Sequence, residues 1–122
     1  MDFDLTERQS FFRDKVRQFI DANIRPRVAE YKKEIDSGDR WQPLQLIEGL
    51  KPRAKAAGLG DLFMPPGGAL QHVDETFAFE GEQLSNLEYA LCAEEMGRIL
   101  WSGEVFNCSA PDTGNMEVLH RY

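Results

Sequence analysis

Few residues in this chain combine the types and the spacing that chemistry requires. Glu94-Glu95 is the most noticeable carboxylate pair. Neighbouring residues on a helix point about 100° apart, so the two do not converge on one substrate, and one of them is expected to pair with Arg98. The histidines, His72 and His120, stand in no H-x-x-x-H or other ligand spacing. His72 reads as solvated in an irregular stretch, and His120 as covering the edge of a last helix. Cys92 and Cys108 fit neither a metal spacing nor a CxxC redox pattern, and both are expected as free, partly buried thiols in a reducing compartment. Gly58-Leu59-Gly60 and Gly67-Gly68 lack the strand-then-helix context of a nucleotide loop, and no GxSxG, GxGxxG or phosphate-loop pattern occurs. No catalytic, cofactor-binding or metal-binding residue is therefore assigned within the chain.

Composition narrows the class of protein further. With 122 residues, 42% hydrophobic and 29% charged, the chain has the length and balance of one globular domain, and its eight phenylalanines can supply a core. The net charge of −7 argues against nucleic acid as a partner, because phosphate binding relies on a basic surface. No apolar run approaches the roughly 18 residues of a membrane span. The stretch Met1 to Glu7 is acidic and lacks the charged start and apolar run of a secretory signal, so a cytoplasmic location is expected. Asn107-Cys108-Ser109 matches a glycosylation sequon, which has no consequence without secretion.

The elements that must position these residues are helical. Phe12, Val16, Phe19, Ile20, Ile24, Val28, Tyr31 and Ile35 recur at steps of three and four, predicting one amphipathic stripe over about Asp4 to Ile35. Thr6 and Gln9 form a capping box at its start, Pro26 should kink or divide it, and Asp36-Ser37-Gly38-Asp39 ends it. Leu46, Ile47, Leu50, Ala54 and Ala57 give an apolar face from about Pro43 to Ala57. With Pro43 and Pro52 both suited to first turns, that segment reads as one helix or as two short ones in succession. Gly58 suits the left-handed position past its end. A long irregular loop follows to about Leu84, with a weak hairpin signal at Thr76–Phe79. Ser85 and Glu88 form a second capping box, opening a helix to about Trp101 with the stripe Tyr89, Cys92, Ala93, Met96, Ile99 and Leu100. Ser102-Gly103 is expected to break it, before a short helix over Gly103 to Cys108. Asp112 then caps a last helix carrying Met116, Leu119 and Tyr122, which the chain leaves mid-pattern. The predicted fold class is all-α, with about four to six helices and a long loop between the second and third.

Several of these stretches resemble the N-terminal helical domain of acyl-CoA dehydrogenases. Arg17-Gln18-Phe19-Ile20, Ile24-Arg25-Pro26 and Ala29-Glu30-Tyr31 resemble that family's long first helix. Ala56-Ala57-Gly58-Leu59 with Met64-Pro65 resembles its next helix and loop. Leu84 to Tyr89, continuing through Ala93-Glu94-Glu95-Met96-Gly97-Arg98, resembles the stretch ending in its Glu-Glu-Leu/Met-Gly pattern. The order and spacing hold over nearly the whole chain. Val105 to Tyr122 is similar to the subgroup that in animals is fused behind a kinase-like phosphotransferase domain, although no such domain is expected ahead of the first helix here. The family's short loop between second and third helices is extended after Pro66-Gly67-Gly68 by about fifteen residues, including His72 to Phe79.

The resemblance implies that residues 1–122 form the N-terminal domain of a longer enzyme, with a β-domain and a helical bundle following. Such an enzyme oxidises an acyl-CoA thioester to the trans-2-enoyl-CoA. A carboxylate takes the proton beside the carbonyl, and a hydride passes to FAD. Because the base and most flavin contacts lie in the later domains, the resemblance implies an inactive chain that binds no FAD alone. It also implies an acyl-CoA substrate for the parent, and it admits an electron-accepting flavoprotein partner and homo-oligomers. In the family the helix-to-helix corner near the end of this domain borders the acyl chain. Here the corner is about Phe106 to Met116, which makes Phe106, Cys108, Ala110 and Met116 the candidate substrate-pocket residues. The alternative is that these side chains only pack the corner. At the level of the whole protein, the alternative is a non-enzymatic helical interaction module derived from the same fold.

Overall fold

Capping chemistry sets where the main helices begin. In the computed structural model of the chain, which describes residues 3–64 and 82–121, α1 spans Glu7–Phe19 behind a capping box of Thr6 and Gln9. The Thr6 hydroxyl accepts from the Gln9 N–H, and the Gln9 side chain accepts from the Thr6 N–H. Ser85 and Glu88 repeat the arrangement at α4, Asn86–Gly97. Each box satisfies two donors that a helix start leaves without partners. Arg8 in the first turn of α1 also reaches Glu88, 3.0 Å away, so the two capped ends are tied together.

Pro26 divides the first helical segment. Lacking an N–H, it cannot continue the ladder. Ahead of it the turn Ile20–Ile24 widens to a π-helix in which the Arg25 N–H bonds the Ile20 carbonyl five residues back, and Arg25–Arg27 tightens to a 3-10 turn. α2 then runs Val28–Ser37 and ends at Gly38. The predicted stripe holds only as far as the proline. Phe12, Val16, Phe19, Ile20 and Ile24 are buried, whereas Tyr31 is half-buried and Val28 and Ile35 are exposed. The change of helix type rotates the later residues off the buried face.

α3 spans Gln45–Ala56 as one continuous helix through Pro52, not two. Interrupting a helix with proline costs about 3 kcal/mol. Leu46, Ile47 and Leu50 before the proline and Ala54 after it are all buried on one face, and burying each large side chain contributes about 1.5–3 kcal/mol. The start of α3 has no cap of its own. Instead, the Glu34 carboxylate of α2 accepts from the Gln45 and Leu46 N–H groups. Gly58 ends the helix at φ 72°, with the Leu59 N–H on the Ala54 carbonyl and the Gly58 N–H on the Lys55 carbonyl. This paired closure needs a residue that accepts the left-handed conformation.

α4 ends at Gly97, four residues before the predicted end at Trp101. α5, Ser102–Val105, begins at the Ser102-Gly103 pair that had been expected to break the chain's helical course, and α6 is Asp112–Arg121. Asp112 lies inside the first turn of α6, so it does not cap that helix from outside. The core forms where α1 packs on α4 and α3 packs on α5, with the ring of Trp101 stacked on Tyr31 at 4.6 Å. The fold is all-α, with six α-helices and no strand among the described residues. None of those helices is long and apolar enough to cross a membrane. His72 and the hairpin signal at Thr76–Phe79 lie outside the described residues.

Candidate functional site

The corner between α4 and α6 is a series of short, back-bonded turns. The Ser102 hydroxyl, fully buried, donates to the Met96 carbonyl at 2.6 Å and turns the chain out of α4. After α5, the Phe106 N–H and the Cys108 N–H both bond the Gly103 carbonyl, and Asn107 between them adopts φ 53°. The backbone thereby reverses and runs back along α4 as Cys108-Ser109-Ala110. The Ala110–Pro111 peptide is cis.

An open groove of about 240 Å³ lies between this returning segment and the second half of α4. Tyr89, Ala93, Met96 and Gly97 line it from α4, Leu100 from the turn beyond and Gly103 from α5. Cys108, Ser109 and Ala110 form its opposite wall. Space exists because Ala93 and Gly97 sit one turn apart on the same helix face. A side chain added at Gly97 would meet nothing, while one at Gly103 would come within 3.4 Å of the Cys108 carbonyl.

The four candidate pocket residues separate into two kinds. Cys108 and Ala110 line the groove. Phe106 does not. Its side chain is fully buried and packs edge-on against Phe19 at 5.3 Å, because the tight turn after α5 points it into the core. Met116 is half-buried on α6, with its sulfur 3.5 Å from the Asn107 amide, and it is not among the groove residues. Tyr89, Met96 and Leu100 were expected only as parts of a core stripe. Leu100 is 99% exposed at the mouth of the groove, because α4 has ended before it. The spacing of Ala93, Gly97 and Gly103 was the sequence signal for the space.

Among the described residues, the groove lining contains no carboxylate, histidine, lysine or arginine. Burial pushes the Cys108 thiol up to about 11 and also raises Tyr89, so both stay protonated near neutral pH. Such a lining, polar and apolar in about equal measure, suits an uncharged group better than an ion. Among the described residues no group of three or more histidine, cysteine or carboxylate side chains is placed to hold a metal ion.

Glu95 has a different task. The sequence predicts a single pairing of Glu94 or Glu95 with Arg98, and both occur, at 3.4 and 3.2 Å. Glu95 is also buried and accepts from Arg17 of α1 at 2.8 Å, a contact across 78 residues that helical spacing cannot reveal. The Arg17 hydrogen bond and charge hold its carboxyl below the ordinary value of 4.5. It is a poor base and a tie between α1 and α4. Both arginines are about half exposed, so water screens the pair. Folding lowers this pKa, so the contribution is complete above about pH 5 and is lost as acid takes the solution below 4.5 toward the folded value. Glu95→Gln should therefore be less stable than the parent sequence near pH 7, with the gap narrowing in urea unfolding as the pH falls below 4.5. A gap that stayed constant with pH would remove the ion pair from the account.

These features define an all-α domain with an open groove at its α4–α6 corner, whose described lining is uncharged. Residues 6–122 match the acyl-CoA dehydrogenase N-terminal domain, and the chain belongs to that family. It is 46% identical over 109 residues to acyl-CoA dehydrogenase family member 10 of Mus musculus, covering 89% of this chain and 10% of that protein. It is 41% identical over 124 residues to a probable acyl-CoA dehydrogenase of Arabidopsis thaliana, covering 90% of this chain and 15% of that one. A probable acyl-CoA dehydrogenase of Mycobacterium tuberculosis is 33% identical over 129 residues, covering all of this chain and 27% of its own length. The chain thus spans about a tenth to a quarter of the relatives it matches.

Proposed function

We propose that this chain is the N-terminal domain of an FAD-dependent acyl-CoA dehydrogenase. In this reading the groove beside Cys108 and Ala110 forms one wall of the acyl pocket, and the parent oxidises an acyl-CoA thioester to the trans-2-enoyl-CoA. The observation that carries the reading is the groove itself, at the corner where the family resemblance puts the acyl chain, with an uncharged lining. Removing hydrocarbon from water there contributes about 25 cal/mol per Å². Half-buried Tyr89 and exposed Leu100 supply accessible apolar area, and Ala110 keeps the wall low enough for a chain to lie against it.

The flavin does not fit the described residues. The groove is smaller than the roughly 300–1,000 Å³ of pockets for drug-sized ligands, and its lining offers no cation to a pyrophosphate. In this proposal the flavin, the base and any electron-accepting flavoprotein engage other parts of the parent, which is proposed to be a homo-oligomer. The exposed Val118 and Leu119 of α6 favour a second reading, a non-enzymatic interaction module that docks a partner there. The two readings separate on turnover. The parent protein, given acyl-CoAs of graded length and an artificial electron acceptor, should form 2-enoyl-CoA. Absence of enoyl product at every length would remove the enzymatic reading.

A further inference from the structure

Among the described residues, two that are not glycine adopt left-handed backbone conformations, and they hold one another. Asp61, in the turn after α3, has φ 58°, and Asn107 has φ 53°. This region is sparsely populated by residues with a Cβ, and Asp and Asn are among those that enter it most readily. The Asn107 side-chain amide donates to the Asp61 carboxylate at 2.6 Å, and the Asp61 N–H donates to the Phe106 carbonyl at 3.0 Å. The same amide lies against the Met116 sulfur, so one side chain touches the α3 turn and α6 together.

The two ends of this clasp differ in how firmly they are anchored. The Asp61 turn is set in the core by Leu59, Leu62 and Met64, all essentially buried. The wall that follows Asn107 has little such anchoring. Cys108 is half-buried at the edge of the core, whereas Ser109 is only half-buried and Ala110 is exposed, so apolar packing holds the first residue of the wall and does little for the other two. The Cys108 thiol donates to the Phe106 carbonyl, the same group that accepts from the Asp61 N–H, so the wall begins directly against the Asp61 turn.

We propose that Asp61 is a positioning residue for the groove: through Asn107 it fixes the Cys108–Ala110 wall and thereby sets the length of acyl chain that the groove accepts. This rests on the reading of the groove as an acyl-pocket wall. Asp61 touches no substrate and acts only through the corner.

The test uses the full-length enzyme containing this chain, assayed with short and long straight-chain acyl-CoAs. Asp61→Gly keeps the left-handed backbone at no steric cost and removes the acceptor, which separates the clasp from backbone strain. It should raise KM for long substrates at least about fivefold, with kcat on them and KM for short substrates moving less than about twofold. Asp61→Asn, which keeps an acceptor oxygen and tolerates the backbone, should restore the profile. Asn107→Gly breaks the clasp from the other side and should reproduce the Asp61→Gly shift, including where Asp61→Gly itself folds poorly. A loss equal at all lengths, an unaltered profile in either glycine variant, or an Asp61→Asn as impaired as Asp61→Gly would overturn the proposal. Ala110→Phe, run alongside, separates the two claims. If it discriminates by length and the clasp variants do not, only the role of Asp61 falls. If none discriminates, the acyl-wall reading falls with it.

Discussion

Phe106→Ala is expected to lower folding stability by about 3–5 kcal/mol, the range for emptying a fully packed aromatic site. Phe106 has no exposed surface, and its ring meets Phe19 edge-on in the centre of the core. Removing it forfeits the transfer energy of the ring, leaves a void bounded by α1 and α5, and loses the aromatic pair, itself worth about 0.5–1.5 kcal/mol beyond its area. Single domains are stable by only about 5–15 kcal/mol, so the variant should be close to unfolding at ordinary temperature. The measurement is denaturant unfolding, where the midpoint should fall with little change in slope. A loss below about 1 kcal/mol would mean that the ring borders an accessible cavity, as the family resemblance implied.

That residue illustrates what the sequence could and could not reveal. Helix starts were legible because their chemistry is local: Thr6 with Gln9 and Ser85 with Glu88 lie three residues apart and cap as expected. The divided helix at Pro26 and the left-handed Gly58 were legible for the same reason. The period of three to four residues correctly put Phe12, Val16, Leu50 and Met96 inside. It failed at Val28, Ile35 and Leu100, where a change of helix type or an early helix end rotated the following residues outward.

Contacts between distant segments were not legible. Glu34 caps a helix that starts eleven residues later, and Arg17 neutralises Glu95 from across the core. Neither contact follows from spacing along one element. The candidate site was legible as a region and not as a residue set. The family resemblance indicated the Phe106–Met116 corner, and the structure opens a groove there that takes Cys108 and Ala110 and leaves Phe106 and Met116 outside it. Which side of a tight turn a side chain occupies depends on backbone angles such as φ 53° at Asn107, and residue type alone does not fix those.

Whether the groove receives an acyl chain is tested most directly by Ala110→Phe. Ala110 is exposed on the groove wall, so a larger side chain projects into the groove without entering the core. Folding stability should change by no more than about 0.5 kcal/mol, as at other surface positions. A phenyl ring laid across a groove of about 240 Å³ occupies space that only the far end of a long chain needs. In the full-length enzyme, kcat/KM for long-chain acyl-CoAs should fall at least about tenfold, or about 1.4 kcal/mol, with a much smaller loss on short chains. A variant as stable as the parent sequence that loses nothing on long chains, or loses equally on all lengths, would contradict the claim and place the acyl pocket elsewhere.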